Sequence, residues 1–278
     1  EVAVGDATDE ADVRAALAGA DVAYYLLHSM DGGGDFVARD RELARRFARL
    51  AEQAGVRRIV YLSGLHPEGE LSAHLGSRVE VGEILLASGV PTAVLQAGVV
   101  LGAGSASFDM LRHLTERLPA MVAPKWLDRR IQPIAVDDAV HYLVRAAELP
   151  DDVNRTFDIG GPDVLTYRSM LQRYAELAGL RPRFIATVPV LTPGLASHWV
   201  GFVTPIKAGI ARPLVGSLMH DAVRHEFDAE AALGEPQGGA AVFDDAIKAA
   251  LGDIDAKLWG RTLSMTSAAV AATAIVSS

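Results

Sequence analysis

Short apolar strand patterns alternate with helical patterns over the first 160 residues, and this alternation constrains the fold more than any other feature of the chain. The strand patterns are "EVAVGD", "DVAYYLLHS", "RRIVYLSG", "PTAVLQAGVVLG" and "RTFDIGG", most of them apolar nearly throughout. Such continuous apolar strands are typical of parallel sheets that helices cover on both faces. We therefore predict an α/β fold with a doubly wound parallel sheet.

The helical segments carry start and stop signals. The apolar residues of one helix recur at helical spacing up to Gly55, a residue suited to end it. Ser72 is placed to cap the helix that carries His74 and Arg78, and Thr166 is placed to open a later helix. These signals divide the chain into helices of ordinary length between the predicted strands.

The alternation stops after about residue 180. The segment that follows, up to Arg224, is apolar and punctuated by Pro and Gly, and it contains Trp199 and Phe202. Open α/β sheets bind ligands at the carboxyl ends of their strands, so we expect this segment to form a small C-terminal substrate lobe there. The predicted divisions are 1–180 for the main α/β domain, 181–255 for the substrate lobe and a closing helix, and 256–278 for a low-complexity tail.

The composition of the 278-residue chain argues against several classes of function. Its formal net charge of -9 disfavours a nucleic-acid partner, which requires a basic surface. The chain has no Cys, so it has no disulfide or thiol nucleophile, and it fits a reducing cytoplasm. Its histidines show no metal-ligand spacing with carboxylates, and we predict no metal site. The uncharged stretch Thr262–Ser278 is short for a bilayer, so we do not expect membrane association.

A dinucleotide-binding fold places a glycine-rich turn after its first strand, where backbone amides approach the pyrophosphate. The stretch "DGGGD" lacks the required glycine spacing, and the Gly-x-Gly of "VVLGAGSASF" is a weak signal by itself. The sequence also opens without Met and directly on a strand pattern. We therefore expect it to begin inside the fold, after a first strand and its glycine-rich loop.

Several stretches, in one order and at one spacing over about residues 1–250, resemble the atypical and extended short-chain dehydrogenases/reductases. The resemblance is greatest to the NmrA-like and YbjT-like group, which is related to the NAD(P)H-binding accessory subunit of respiratory complex I. The stretch "VRRIVYLSG" resembles the strand that ends in the catalytic Ser, and "VDDAV" and "TFDIGGPDVLTY" resemble later signatures. His74 and Arg78 fall on the family's Tyr-x-x-x-Lys, and "LQAGVVLG" falls on "LRPxxxxG", with Gln96 and Ala97 in place of Arg and Pro.

The resemblance implies a Rossmann-like fold, an NAD or NADP cofactor, and a role for particular residues. The catalytic positions are Ser63, His74 and Arg78. Asp6 and Ala7 fall at the strand end that recognises the adenine in the family. The implied cofactor-binding set is Asp6, Ala7, Leu26, Leu27, His28, Arg78 and Gly98.

The changed pair leaves the chemistry open. In the family's reductases the Tyr is the general acid/base, and the Lys lowers its pKa and holds the nicotinamide ribose. His74 has an ordinary pKa near 6.5 and can replace the acid in principle. Arg78 can bond a ribose or phosphate oxygen, and it can keep a neighbouring imidazole neutral by charge repulsion. The alternatives are a pair that contacts the cofactor without catalysis and a pair that lies on a solvated helix side.

Three functions therefore stay open. The first is hydride transfer between a nicotinamide and a small, apolar carbonyl or quinone-like substrate, which the retained Ser63 and the apolar lobe favour. The second is a non-catalytic NAD(P)-binding redox sensor or assembly subunit with a protein partner, which the changed His74 and Arg78 favour. The third is a nucleotide-sugar epimerase or dehydratase, which Gln96 in place of the family Arg makes less suitable.

Overall fold

The computed structural model describes residues 4–28, 35–67, 71–188 and 220–258, with the side chains of 188 and 255–258 left out. Its strands are β1 (Val22–Tyr25), β2 (Arg58–Gly64), β3 (Thr92–Ala97), β4 (Val100–Leu101), β5 (Ala120–Pro124), β6 (Arg130–Ile131), β7 (Ile134–Ala135), β8 (Arg155–Ile159), β9 (Leu165–Thr166) and β10 (Phe184–Val188). Its helices are α1 (Glu10–Leu17), α2 (Phe36–Ala54), α3 (Ala73–Leu86), α4 (Ala106–Arg117), α5 (Val136–Ala146), α6 (Tyr167–Leu177), α7 (Ala229–Leu233) and α8 (Phe243–Leu258), with a 3-10 turn at Lys125–Asp128.

The central sheet has four parallel strands in the order β1-β2-β3-β8. Helices α2 and α3 cover one face, where Tyr25, Tyr61 and Val94 are buried with the apolar stripe of α2. Helix α5 covers the opposite face over Val60 and Leu95. Helices on both faces cover most of the central sheet, which is why its strands read as apolar runs. The predicted α/β fold with a parallel, doubly wound sheet is confirmed.

A third apolar cluster lies beyond β3 and packs α4, α6 and α8 around Phe108, Tyr174 and Phe243. The strand β10 pairs in parallel with β5, so residues 184–188 continue this part of the molecule. The sequence showed no period-2 pattern at either strand, and both were missed. The division of the chain into a main domain and a lobe stays a prediction. Trp199 and Phe202 lie outside the described residues, as do residues 29–34 of the glycine-rich stretch and the tail from 259.

The capping signals act as predicted. Ser72 accepts a hydrogen bond from Leu75 N–H at 3.2 Å and starts α3, and Gly55 ends α2 at φ 73°.

The first strand pattern was wrong for residues 4–6, which lie in no strand. Asp6 N–H donates instead to Asp12 Oδ2 at 2.8 Å, so a local turn bond uses the group that a ladder would need. Within the described ranges, no helix is long and apolar enough to span a bilayer.

Candidate active site

A cavity of about 210 Å³ opens at the carboxyl ends of β2 and β3, beside the chain that follows β1. Its walls are mostly apolar and come from β2, β3, α3 and α4 and from the segment around Ala222. Parallel strands bring their carboxyl ends to one edge, which is why residues far apart in sequence meet there. The cavity brings together five of the residues predicted from the sequence: His28, Ser63, His74, Arg78 and Gly98.

Hydrogen bonds join the end of β2 to Arg78 in α3. The Arg78 guanidinium donates to the carbonyl oxygen of Leu62. In return, the Arg78 carbonyl oxygen accepts from Tyr61 OH at 3.3 Å and from Ser63 Oγ at 3.4 Å. These contacts fix Arg78 between the strand and the cavity, so the reading of α3 as a solvated helix side is wrong at this position.

Among the described residues that line the cavity, Arg78 is the only one with a charged side chain. Within the described residues, no carboxylate lies within ion-pair distance of its guanidinium. A partly buried cation in this setting repels other cations and attracts anionic oxygen. The cavity therefore has a positive character next to Arg78.

The imidazoles of His28 and His74 lie side by side, with ring centroids 5.2 Å apart. Burial, together with the smaller effect of the Arg78 charge, lowers the pKa of each from 6.5 to about 4. Asp40 opposes the shift at His74, but its carboxylate is 93 % buried in α2 and accepts from Ser77 Oγ at 3.0 Å. Both imidazoles are thus neutral at pH 7, and each offers one N–H donor and one acceptor.

This pair makes stability depend on pH in a defined direction. In the unfolded chain the imidazoles bind protons below pH 6.5, whereas in the folded chain they bind them only below about 4. The free energy of unfolding is therefore expected to fall as the pH drops from about 6.5 to about 4, and this contribution is fully present above 6.5. Urea unfolding at a series of pH values measures how the free energy of unfolding depends on pH. The double variant His28→Asn, His74→Gln should lose that part of the slope, and an unchanged slope in the variant would contradict the assignment.

Gly98 sits between β3 and β4, where the chain crosses closely under Gln132. A Cβ at this position would lie 2.5 Å from the Gln132 carbonyl oxygen, so only glycine fits. The buried Gln132 side chain donates to Gly161 O at 2.7 Å and accepts from Arg224 N–H at 3.1 Å. Gln132 thereby fastens the segment of Ala222 to the rim of the cavity. Sequence reasoning missed it, and the only signal was a polar residue inside the apolar stretch "RIQPIAV".

A second cavity, of about 650 Å³, lies on the α3 side of the sheet and shares Ser63 and Arg78 with the first. Its lining includes Gln96 and Asp158, which are register partners on β3 and β8. Asp158 is buried and accepts from the backbone N–H groups of His225 at 2.7 Å and Glu226 at 3.2 Å. The segment from Ala222 to Glu226 thus reaches both cavities and forms a wall of each.

Four predicted cofactor residues lie away from the first cavity. The Asp6 carboxylate accepts from Thr8 N–H at 2.8 Å, and this bond lowers its pKa. Ala7 is buried, Leu27 is half-buried against the core, and Leu26 is exposed. Their contact with an adenosine stays a prediction. Within the described residues, no group of three His, Asp or Glu side chains could hold a metal ion.

Residues 1–96 match a family model described as NAD(P)H-binding. The match covers about the N-terminal third of the chain. The match includes β1, β2, α3 and most of β3, and therefore the residues of the first cavity that come from these elements. No curated protein sequence matches the chain.

Solved structures of short-chain dehydrogenase-type proteins share the fold over most of their length. The triphenylmethane reductase of Citrobacter sp., solved with NADP(H), is 14% identical, with a TM-score of 0.66 over 88% of this chain and 82% of that one. MoeE5, solved with UDP-glucose and NAD, is 16% identical, with a TM-score of 0.69 over 92% and 91%. The UDP-glucose 4-epimerase of Thermotoga maritima is 15% identical, with a TM-score of 0.66 over 91% and 84%. The predicted resemblance and the NAD or NADP cofactor are confirmed at the level of domain and fold.

The lining of the first cavity fits the nicotinamide end of such a cofactor. Its apolar walls at Leu62, Leu65 and Met110 suit a flat ring. Ser63 and the neutral His28 can hydrogen-bond a carboxamide or ribose hydroxyl, because each has both a donor and an acceptor. These residues would hold the ring without any charged group other than Arg78 beside it.

Proposed function

We propose that the protein is an NAD(P)H-dependent oxidoreductase that reduces a small carbonyl or quinone-like substrate in the cavity of about 210 Å³. The observation that supports this proposal is the convergence of Ser63, His74 and Arg78 on one cavity at the carboxyl ends of parallel strands. A retained Ser, a hydrogen-bond donor and a cation beside one apolar space are the groups that a developing oxyanion needs. We also propose a cytoplasmic location, since a chain without Cys suits a reducing compartment.

The bound cofactor would supply a hydride. His74 is neutral at pH 7, so in this proposal its imidazole N–H donates a hydrogen bond to the substrate oxygen and does not act as an imidazolium acid. The Arg78 guanidinium stabilises the negative charge that grows on that oxygen, and Ser63 Oγ orients it. The apolar walls exclude water, which strengthens both interactions. The proton that completes the reduction comes from solvent.

The test measures binding and turnover separately. NADH and NADPH binding are followed by calorimetry, and their oxidation is followed with quinones and aldehydes. His74→Ala is expected to lower kcat about 100-fold, because it removes one preorganised donor, and to leave dinucleotide affinity nearly unchanged. His113→Ala, on α4 and away from the cavity lining, is the matched control and should keep kcat. Equal turnover in His74→Ala and the unchanged protein would contradict the proposed role.

A second candidate is a non-catalytic NAD(P)-binding sensor or assembly subunit that presents a surface to a protein partner. Two observations favour it: His74, which falls on the family's Tyr, is neutral at pH 7, and Ser63 Oγ is turned toward the Arg78 carbonyl at 3.4 Å. Tight dinucleotide binding without turnover of any acceptor would support this candidate. Turnover that His74→Ala abolishes would exclude it.

A further inference from the structure

We infer that the substrate of the cavity around Arg78 carries a carboxylate, and that the Arg78 guanidinium is its counter-charge. This inference rests on the proposed function and names the class of substrate for the same site. Three features of the site carry it: the environment of Arg78, the charge of the remaining lining, and the size and polarity of the cavity.

The environment of Arg78 differs from that of four other arginines with partly or fully buried side chains. Arg183 also has only carbonyl acceptors, but it has two of them, Thr115 O and Arg181 O. Arg58 also lacks a carboxylate, but it donates to three carbonyl oxygens, whereas Arg78 donates to the one of Leu62. A guanidinium with five N–H donors and one acceptor, held half-buried at a cavity wall, favours an anionic partner strongly. Three others each contact a carboxylate: Arg112 with Glu116, Arg173 with Asp244, and Arg224 with Glu230.

The remaining polar groups of the lining add no negative charge. The lining's other polar side chains are neutral at pH 7 and can each donate a hydrogen bond: His28, Ser63, His74, Ser107 and Tyr167, whose pKa is raised by burial. Ser107 lies in the first turn of the twelve-residue helix α4, whose positive end therefore adds to the potential of Arg78. Among the described residues that line the two cavities, acids occur only in the second one, and Asp40, which acts on His74, lines neither. In the second cavity Asp158 accepts two backbone N–H bonds, Glu226 pairs with Arg155, and Glu83 lies beyond ion-pair distance.

The size and polarity of the cavity select a small acid with an apolar body. Its volume of about 210 Å³ lies below the usual range for sites of drug-sized ligands, roughly 300–1,000 Å³. The apolar walls come from Leu65, Val99, Met110 and Ile131. A negatively charged group of the substrate can therefore be stabilised only next to Arg78. A ribose hydroxyl is neutral and would leave the guanidinium without a counter-charge. The remaining source of anionic oxygen is a phosphate of the dinucleotide, and the experiment separates the two sources.

The experiment uses benzoate as the probe, with benzamide as its neutral isostere and ADP-ribose as a dinucleotide fragment that lacks the nicotinamide ring. Calorimetry on the full chain is expected to give benzoate at least about tenfold higher affinity than benzamide, because only benzoate forms a charge-assisted bidentate pair. Benzoate should also bind when ADP-ribose is saturating. Bound benzoate should raise the pKa values of His28 and His74 in NMR titrations, since it places a negative charge beside them.

Arg78→Met should abolish the preference for benzoate and change ADP-ribose affinity less than about twofold. Arg78→Lys should keep part of the preference for benzoate. This variant provides a second measurement if Arg78→Met folds poorly. Arg41→Gln, which loses the ion pair with Glu80 outside the cavity, should keep all of it. Equal affinities for benzoate and benzamide would overturn the inference. Displacement of benzoate by ADP-ribose would also overturn it, by assigning Arg78 to a cofactor phosphate. NADPH affinity is measured separately and tests the proposed function, which requires dinucleotide binding. It does not test the preference for a carboxylate.

Discussion

Replacing Gly98 with Ala is expected to lower the free energy of unfolding by about 2–3 kcal/mol and to deform the cavity at the end of β3. The new Cβ would lie 2.5 Å from the carbonyl oxygen of Gln132, a backbone atom that cannot rotate away. Relief requires a shift of the Gln132 chain, which also carries the hydrogen bonds to Gly161 and Arg224. We therefore expect weaker dinucleotide binding along with the lower stability. Urea unfolding and calorimetry measure the two effects.

Gly76→Ala is the matched control for this change. Gly76 lies inside α3, beside the same cavity residues, and a Cβ there would meet nothing within 4 Å. Because Ala loses less backbone entropy than Gly in a helix, this variant should gain about 0.5–1 kcal/mol of stability. The two substitutions add the same methyl group and should change stability in opposite directions. A similar effect of both would show that the close approach at Gly98 does not constrain the chain.

The strands and helices of the sheet could be read from the sequence because their signals are local. The apolar run of "RRIVYLSG" reflects burial on both faces, and Ser72 and Gly55 act on backbone groups within four residues of themselves. The pair β5 and β10 could not be read in this way. These strands are joined only through a pairing between residues 64 positions apart, and each has exposed residues, as at Val122 and Phe184.

The candidate site was predicted in position but not in chemistry. The spacing from Ser63 to His74 and Arg78 placed these residues together, and the cavity lining agrees with that placement. The pKa of His74 could not be predicted, because it depends on burial and on His28, which follows a different strand. A sequence shows that a histidine is present, and only its three-dimensional surroundings decide whether it is charged at pH 7.

The change of the family's Arg to Gln96 has a different meaning in the structure. Gln96 lines the second cavity beside Asp158, not the first cavity with His74. The residue therefore says little about hydride transfer at the first cavity. Asp158 lies in the family-like stretch "TFDIGGPDVLTY" and Gln132 in "RIQPIAV", but neither pattern shows that these residues anchor the segment from Ala222 to Glu226. Their roles arise from contacts with residues more than 60 positions away, which no local pattern reports.

Replacing Arg58 with Met is expected to lower the free energy of unfolding by about 2–4 kcal/mol. Arg58 starts β2 and is fully buried. It donates to the carbonyl oxygens of Val153 at 3.0 Å, Leu149 at 3.2 Å and Pro150 at 2.5 Å. The variant leaves these acceptors beyond α5 without a donor, at a cost of about 1–3 kcal/mol for each that stays buried. Removal of a desolvated charge, whose burial lowers the pKa of Arg58, offsets part of the loss.

Arg57→Met provides the control next to it in the chain. The Arg57 side chain is 43% exposed, and its ion pair with Asp151 at 2.8 Å lies in solvent. Because exposed ion pairs add at most about 1 kcal/mol, this variant should unfold at nearly the original urea concentration. Arg58→Lys should lose nearly as much stability as Arg58→Met, since one ammonium group cannot reach three carbonyls that a planar guanidinium spans. Full stability of Arg58→Lys would mean that charge alone, and not the fork geometry, holds the end of α5 against β2.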